Sequence, residues 1–213
     1  MEDLSHLRQS YEKSELSDAG LPEFPFELFA KWFNELRDFG KEPEINAMTL
    51  STIGIDGYPK ARVVLLKSFD DSGFVFFSNY ESEKGQAMEL EPKVCLSFFW
   101  PSMERQVIIK GSVSKIDDAE SEAYFHSRPR GSQLGALASN QSLPVESRHK
   151  LDDRLKTLES EFEGRQIPKP EYWGGYKVQP ESMEFWQGRA NRMHDRILYV
   201  IEDGDWKQIR LQP

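Results

Sequence analysis

The sequence predicts an α+β protein, an antiparallel β-barrel or strongly curled sheet with helices at its periphery, on three observations. Short β-like runs recur between residues 46 and 116 and again from 173 onward, turn chemistry such as Asp56-Gly57 and Asp70-Asp71-Ser72-Gly73 separates the early ones, and helical patterns interrupt them in few places. Strands joined by links this short pair antiparallel, because a parallel pair needs a crossover of a dozen or more residues.

The first twenty residues, MEDLSHLRQSYEKSELSDAG, are polar and hold no apolar stretch after a basic start, so they read as a flexible arm rather than a secretory leader. Residues 21–213 suit a single domain, since barrels of this size often stay undivided. Phe26, Phe29, Trp32, Phe33, Leu36 and Phe39 recur at three- and four-residue steps between Pro25 and Gly40, the pattern of an amphipathic helix with a glycine stop. Strand-like runs follow at NAMTLSTI, YPKARVVLLKSF, GFVFFSN, KVCLSFFW and RQVIIKGSVSKI, with helical patterns near 82–90, 117–127 and 145–163. The last helix is charge-rich and spaced for one solvated face. Strands resume at WGGYKVQP, SMEFWQG, DRILYVI and WKQIRLQP.

Lys and Arg number 27 against 36 Asp and Glu, for a net charge of −9. That balance argues against a nucleic-acid or anionic-membrane surface, both of which need a positive field. The mean hydropathy is −0.64 and no apolar run approaches membrane length, so a cytoplasmic protein is expected. Cys95, the single cysteine, lies in the apolar run VCLSFFW and reads as a small core thiol, and the four histidines are too scattered for a local metal motif. No metal is expected. Any anion site must be local, which makes clusters of arginine and lysine informative.

Four segments gather such groups. If Arg192-Met193-His194-Asp195-Arg196 is extended, Arg192, His194 and Arg196 share one face, an arrangement that suits a bound anion or, equally, a solvated edge strand. In YFHSRPRGSQ, Tyr124 and Arg128 stand one helical turn apart, Pro129 ends the helix, and Ser132 opens the next as its N-cap. Together these suit a phosphate pocket, and an ordinary arginine-containing turn fits as well. Arg62 and Lys67 bracket the apolar Val63, Val64, Leu65 and Leu66. An odd separation puts them on opposite faces of a regular strand, so they serve two neighbouring anions, a twisted strand, or merely cap a buried one. Lys84 follows Ser82-Glu83 at a helix start, where orphan amides already favour phosphate. Gln106, Gln141 and Ser142 offer hydrogen bonds to the polar edge of a ring, and Trp186 offers a face. Neither a dinucleotide-type glycine fingerprint nor a Walker loop is present, so side chains on the sheet must hold any cofactor.

Taken together, RVVLLK, ERQVIIKG, YFHSRPRGSQLGA, the NQS triplet, YWGGY, EFWQGRANRMHDR and the terminal RLQP resemble, in order and spacing over nearly the whole chain, the pyridoxine (pyridoxamine) 5′-phosphate oxidase family. The resemblance implies an antiparallel split β-barrel that binds flavin mononucleotide (FMN) and works as a homodimer, with the flavin at the subunit interface. It implies oxidation of pyridoxine 5′-phosphate and pyridoxamine 5′-phosphate to pyridoxal 5′-phosphate, with molecular oxygen as acceptor and hydrogen peroxide as by-product. By motif match, Arg62, Val63, Val64, Leu65, Leu66, Lys67, Phe77, Ser78, Lys84, Gln106, Gln141, Ser142, Trp186 and Arg196 would hold the flavin. Lys67, Tyr124, Arg128, Ser132, Arg192 and His194 would contact substrate, with Arg192 and His194 at the reacting group. Arg8 and Tyr11 of the arm would fold over the substrate as a lid. Two phosphate dianions would explain why an acidic chain concentrates its cations.

Two departures stand out. Glu83 sits where the family often has arginine, which predicts either weaker flavin retention or a carboxylate turned away from the phosphate, and Ile45 replaces a frequent proline. Three other readings compete: a same-fold flavin oxidase of the phenazine-pathway type acting on another ring, a split-barrel module that binds flavin or haem without turnover, and a purely structural barrel.

Overall fold

Pro25–Phe39 forms helix α1, with proline in its first turn, where a missing N–H costs nothing, and Gly40 at φ 66°, donating its N–H to the Leu36 carbonyl. The computed structural model of the chain describes residues 2–7 and 9–213. After α1 come β1 (Ala47–Ile53), β2 (Pro59–Leu65), β3 (Ser68–Asp70), β4 (Gly73–Asn79), α2 (Glu83–Leu90), β5 (Lys93–Trp100) and β6 (Arg105–Lys115). Then follow α3 (Asp118–Ser127), α4 (Arg130–Ala138), α5 (Arg148–Glu161), β7 (Trp173–Gln187), β8 (Asp195–Glu202) and β9 (Asp205–Leu211). The strands join in the order β2-β1-β5-β6-β7-β4-β3, with β8 on β7 and β9 on β8. This is the expected α+β class with a curled antiparallel sheet. Its contacts divide into two units, each assembled from separated stretches of chain.

The first unit comprises residues 1–50, 95–111 and 180–213. Its core follows from the helical spacing of α1, which buries Leu28, Phe29, Trp32 and Leu36 on one face. Phe29 meets Phe98 at 5.2 Å, Trp32 meets Phe185 edge-on at 5.3 Å, and Phe185 meets Tyr199 at 5.7 Å. Truncating Phe29, which is fully buried, to alanine would cost about 3–5 kcal/mol. β8 and β9 form a hairpin whose two turn residues, Asp203 and Gly204, have φ of 55° and 91°, the handedness that matches strand twist. The final stretch of β7 pairs antiparallel with β8, placing Trp186 opposite Arg196 and Gln187 opposite Asp195.

The second unit comprises residues 51–94 and 112–179. β4 pairs antiparallel with β3 and with the start of β7, with Phe77 opposite Gly175 and Asn79 opposite Trp173. The two glycines of YWGGY are steric requirements: a Cβ on Gly174 would run into the Tyr80 hydroxyl, and one on Gly175 into the Ile116 side chain. Phe125, Leu134, Ile167 and Trp173 form the core beneath α3, α4 and α5.

Four local expectations need correction. WGGYKVQP and SMEFWQG form one strand, β7, because Pro180-Glu181 carries no turn chemistry and extended backbone runs through it. Helix α4 starts at Arg130 with Pro129 at its cap, so Ser132 sits inside the first turn, donating its N–H to the Pro129 carbonyl. Proline's fixed φ of −52° here opens the helix three residues earlier than a serine cap would. Segment 192–196 is not uniformly extended: Asn191 and Arg192 take φ of 56° and 62°, and β8 begins only at Asp195. Likewise β2 ends at Leu65, so Lys67 lies beyond the regular strand, and strand parity does not govern how it and Arg62 are placed.

Candidate active site

A cavity of about 480 Å³ in the second unit is lined by Val63, Val64, Leu65, Lys67, Phe77, Ser78, Asn79, Lys84, Tyr124, Arg128, Pro129, Ser132, Gln141 and Trp173. Secondary structure explains the convergence. Lys67 is fixed just past β2, where its N–H donates to the Val75 carbonyl at 2.8 Å. Ser82 caps α2 by accepting from the Gly85 N–H at 3.3 Å, which sets Lys84 in the first turn, its ammonium donating to the Ser82 hydroxyl at 3.2 Å. Arg128 ends α3 in extended geometry because Pro129 follows, and Gln133 donates to its carbonyl at 2.8 Å. Its guanidinium lies 4.6 Å from the centre of the Trp173 ring, and Tyr124 stacks on Phe77 at 3.8 Å, so aromatic faces floor the cavity.

The electrostatics of this cavity are unusual for an acidic protein. Lys84 is only 9 % exposed, and burial, reinforced by the nearby Arg62 charge and opposed by Glu83, brings its ammonium down to about 8. Burial also lowers the Arg128 guanidinium, against the pull of Tyr124, and Arg128 Nη1 is buried without a hydrogen-bond partner. Among the described residues neither Lys84 nor Arg128 has a carboxylate within ion-pair distance. A buried ammonium and a half-buried guanidinium left without counter-charge are costly unless a ligand supplies one, so these side chains fit phosphate groups.

A second cavity, of about 530 Å³, lies in the first unit among Gln9, Ser10, Tyr11, Arg189, Asn191, Arg192 and His194. His194 Nδ1 accepts the Arg189 backbone N–H at 3.1 Å. A nitrogen that accepts carries no proton, so the neutral ring bears its hydrogen on Nε2 and presents a donor there. Burial, then the Arg192 charge, lowers the His194 imidazolium, with Asp195 opposing. The ring lies 4.7 Å from that of Trp186, and Tyr11 meets Trp186 edge-on at 5.7 Å. Gly188 allows this, since a Cβ there would come within 2.8 Å of the Tyr11 ring.

The remaining candidates line neither cavity. Arg62 donates to Thr52 Oγ1 at 2.8 Å, Leu66 is buried at 4 % exposure, and Gln106 is half-buried on β6. Ser142, at φ 75°, accepts the Glu83 N–H at 3.3 Å, and Arg196 is bound to Glu184 at 2.8 Å. Arg8 lies outside the described residues. Among those described, no group of three His, Cys, Asp or Glu is placed to hold a metal, and no helix is long and apolar enough to cross a membrane.

Residues 34–161 match the family model described as pyridoxamine 5′-phosphate oxidase, and residues 173–213 match the pyridoxine 5′-phosphate oxidase C-terminal dimerisation region. The pyridoxine/pyridoxamine 5′-phosphate oxidase of Flavobacterium johnsoniae is 58% identical over 99% of both chains, and that of Leptospira biflexa 52% identical over 100% of both. The chain belongs to the pyridoxine (pyridoxamine) 5′-phosphate oxidase family. Among solved structures, PhzG from Burkholderia lata in complex with tetrahydrophenazine-1-carboxylic acid is similar at TM-score 0.87 and 26% identity, covering 95% of this chain and 100% of that one. A pyridoxamine 5′-phosphate oxidase-related, FMN-binding protein from Nostoc punctiforme shares the fold at TM-score 0.69 and 15% identity, covering 91% and 100%.

Sequence reasoning overlooked Trp173, Arg189 and Asn191, which lie within the motifs that mark this oxidase family, and Asn79 at the end of β4, all of which line the cavities. Trp173 was signalled by the glycines after it, which bring β7 close to β4. Arg189 reaches His194 through its backbone amide, which no side-chain pattern advertises.

Proposed function

We propose that this oxidase binds FMN and oxidises pyridoxine 5′-phosphate and pyridoxamine 5′-phosphate to pyridoxal 5′-phosphate, as a cytoplasmic homodimer with the flavin at the subunit interface. The observation that carries the reading is the cavity of the second unit, where Lys67, Lys84 and Arg128 converge in a chain of net charge −9. Arg62, Lys84 and Ser142 would receive the flavin phosphate, with Val63 to Lys67, Phe77, Ser78, Gln106, Gln141, Trp186 and Arg196 along the rest of the cofactor. The chemistry FMN supplies is two-electron acceptance from the substrate's exocyclic carbon, with molecular oxygen as final acceptor and hydrogen peroxide as its product.

The protein's own contribution is orientation and charge. Lys67, Arg128, Tyr124 and Ser132 would grip the substrate phosphate, with the guanidinium fork supplying paired donors. Arg192 would steady the ring oxygen. His194, with Nδ1 already engaged, would donate from Nε2 to the reacting group and so orient it, rather than remove its proton in the resting state. Tyr11, and Arg8 by motif, would close over the substrate. A substrate of the kind bound by the phenazine-pathway relative carries a single carboxylate in place of a phosphate dianion, and so offers less negative charge to Lys67 and Arg128. Support for a dimer comes from the match of residues 173–213 to the dimerisation region.

Anaerobic mixing of the purified, flavin-loaded chain with pyridoxine 5′-phosphate tests the proposal. Flavin absorbance should bleach and return with peroxide on admitting air. A flavin that stays oxidised, or that bleaches equally with unphosphorylated pyridoxine, would overturn it.

A further inference from the structure

Glu83, the departure from the family pattern, lies at the first position of α2, next to Lys84. A carboxylate there is favoured by the helix N-terminus but is also a natural competitor for any cation that binds an anion at the same place. Its charge reaches both neighbours, since it opposes the lowering of Lys84 and of Arg62. Yet Glu83 is absent from the cavity lining. Both of its oxygens are instead on the ammonium of Lys60 in β2, at 2.6 and 2.5 Å. The two side chains are 55% and 38% exposed, and an ion pair in that much water adds little to folding stability. The backbone N–H of Glu83 meanwhile donates to Ser142, which holds a left-handed conformation at φ 75°. The pair is thus geometrically complete, contributes little as a fold element, and stands at the edge of the cation cavity.

We propose that Lys60 is a positioning residue for the anion site: it latches the Glu83 carboxylate outside the cavity, so that Glu83 does not compete with a phosphate dianion for Lys84. This rests on reading the cavity as the seat of the FMN phosphate. Glu83 then has no net effect on retention while Lys60 is present. Without Lys60 the released carboxylate is free to turn toward the adjacent ammonium of Lys84, which has no carboxylate within ion-pair distance among the described residues, and to compete there with the phosphate. The effect of Lys60 therefore depends on Glu83, which a residue acting through its own charge would not show.

The test is the FMN dissociation constant of the full-length apoprotein, read by quenching of flavin fluorescence, for the wild type, Lys60→Ala, Lys60→Arg, Glu83→Gln and Lys60→Ala/Glu83→Gln. Lys60→Ala should weaken FMN about tenfold, the scale of one partly screened charge contact, and Lys60→Arg should restore wild-type affinity. In the Glu83→Gln background the same Lys60→Ala change should alter affinity less than about twofold. Equal losses in both backgrounds, or no loss from Lys60→Ala, would overturn the latch. A wild type that does not bind FMN would overturn the reading of the cavity as well. Both side chains are exposed, so unaltered urea midpoints are expected and would separate these outcomes from misfolding.

Discussion

Two sets of cations, one in each unit, are kept in opposite ways. In the first unit three arginines are matched: Arg189 meets Glu15 and Asp195 at 2.9 and 3.3 Å, Arg210 meets Asp18 and Asp195 at 2.7 and 3.0 Å, and Arg196 meets Glu184 at 2.8 Å. Their carboxylate partners raise Arg196 and Arg210. In the second unit burial lowers Lys84 and Arg128, and neither has a carboxylate partner among the described residues. The difference teaches that guanidinium content alone does not mark a binding site. A matched cation ties the chain together, whereas an unmatched, desolvated one raises the free energy of the empty protein and is explained by the ligand that relieves it.

The sharpest way to break this contrast is Arg128→Met. Loss of a partly desolvated charge contact should lower kcat/KM for pyridoxine 5′-phosphate by about 10²- to 10³-fold, while removal of a half-buried cation with no carboxylate partner should leave the urea midpoint unchanged or higher. A lower midpoint with intact kinetics would make Arg128 a scaffold residue like Arg210.

Next in size, Lys84→Met should weaken FMN about 30-fold, and the wild type should show why through its pH dependence. In the apoprotein Lys84 loses its proton near pH 8, below the ordinary lysine value, whereas a bound dianion would hold the proton on. FMN affinity should therefore fall as pH rises above about 8, and the fall should vanish in Lys84→Met. Folding stability of the apoprotein should move the other way. Between about 8 and the unfolded value near 10.5 the unfolded chain binds more protons, so this group's contribution to stability rises with pH.

On the other side of the contrast, Asp195→Asn should act on stability first. Asp195 accepts from the Leu16 backbone N–H at 3.0 Å as well as from Arg189 and Arg210, so the change should cost about 1–3 kcal/mol in urea denaturation. Its effect on kcat/KM should stay below about tenfold, since it reaches the site only by holding the segment that carries His194.

The smallest effect separates two roles for His194. Glutamine can place an amide N–H near the Nε2 position and asparagine cannot, so His194→Gln should retain kcat within about threefold and His194→Asn should lose about tenfold. Equal losses, with a kcat that falls as the histidine protonates, would make it a base instead.

How much of this was legible in the sequence follows the same division. α1 was readable because its apolar spacing, first-turn proline and terminal glycine all agree, and Tyr124, Arg128 and Lys84 were readable because helix ends and Pro129 fix them locally. The link between Asp195, Arg189 and Leu16 spans 179 residues between Leu16 and Asp195, and nothing near either position announces it. The misread segment at Arg192 failed for a related reason. Two consecutive left-handed residues, neither of them glycine, interrupt an apparent strand run there, and the alternation of side chains does not announce them.

The most direct test of the account compares FMN with riboflavin, which lacks only the phosphate, by calorimetric titration of the apoprotein at pH 7. Lys84 and its neighbours predict that riboflavin binds at least about 10³-fold more weakly, the scale of a desolvated charge-assisted contact. Equal affinities would mean that these buried cations answer to something other than a phosphate group.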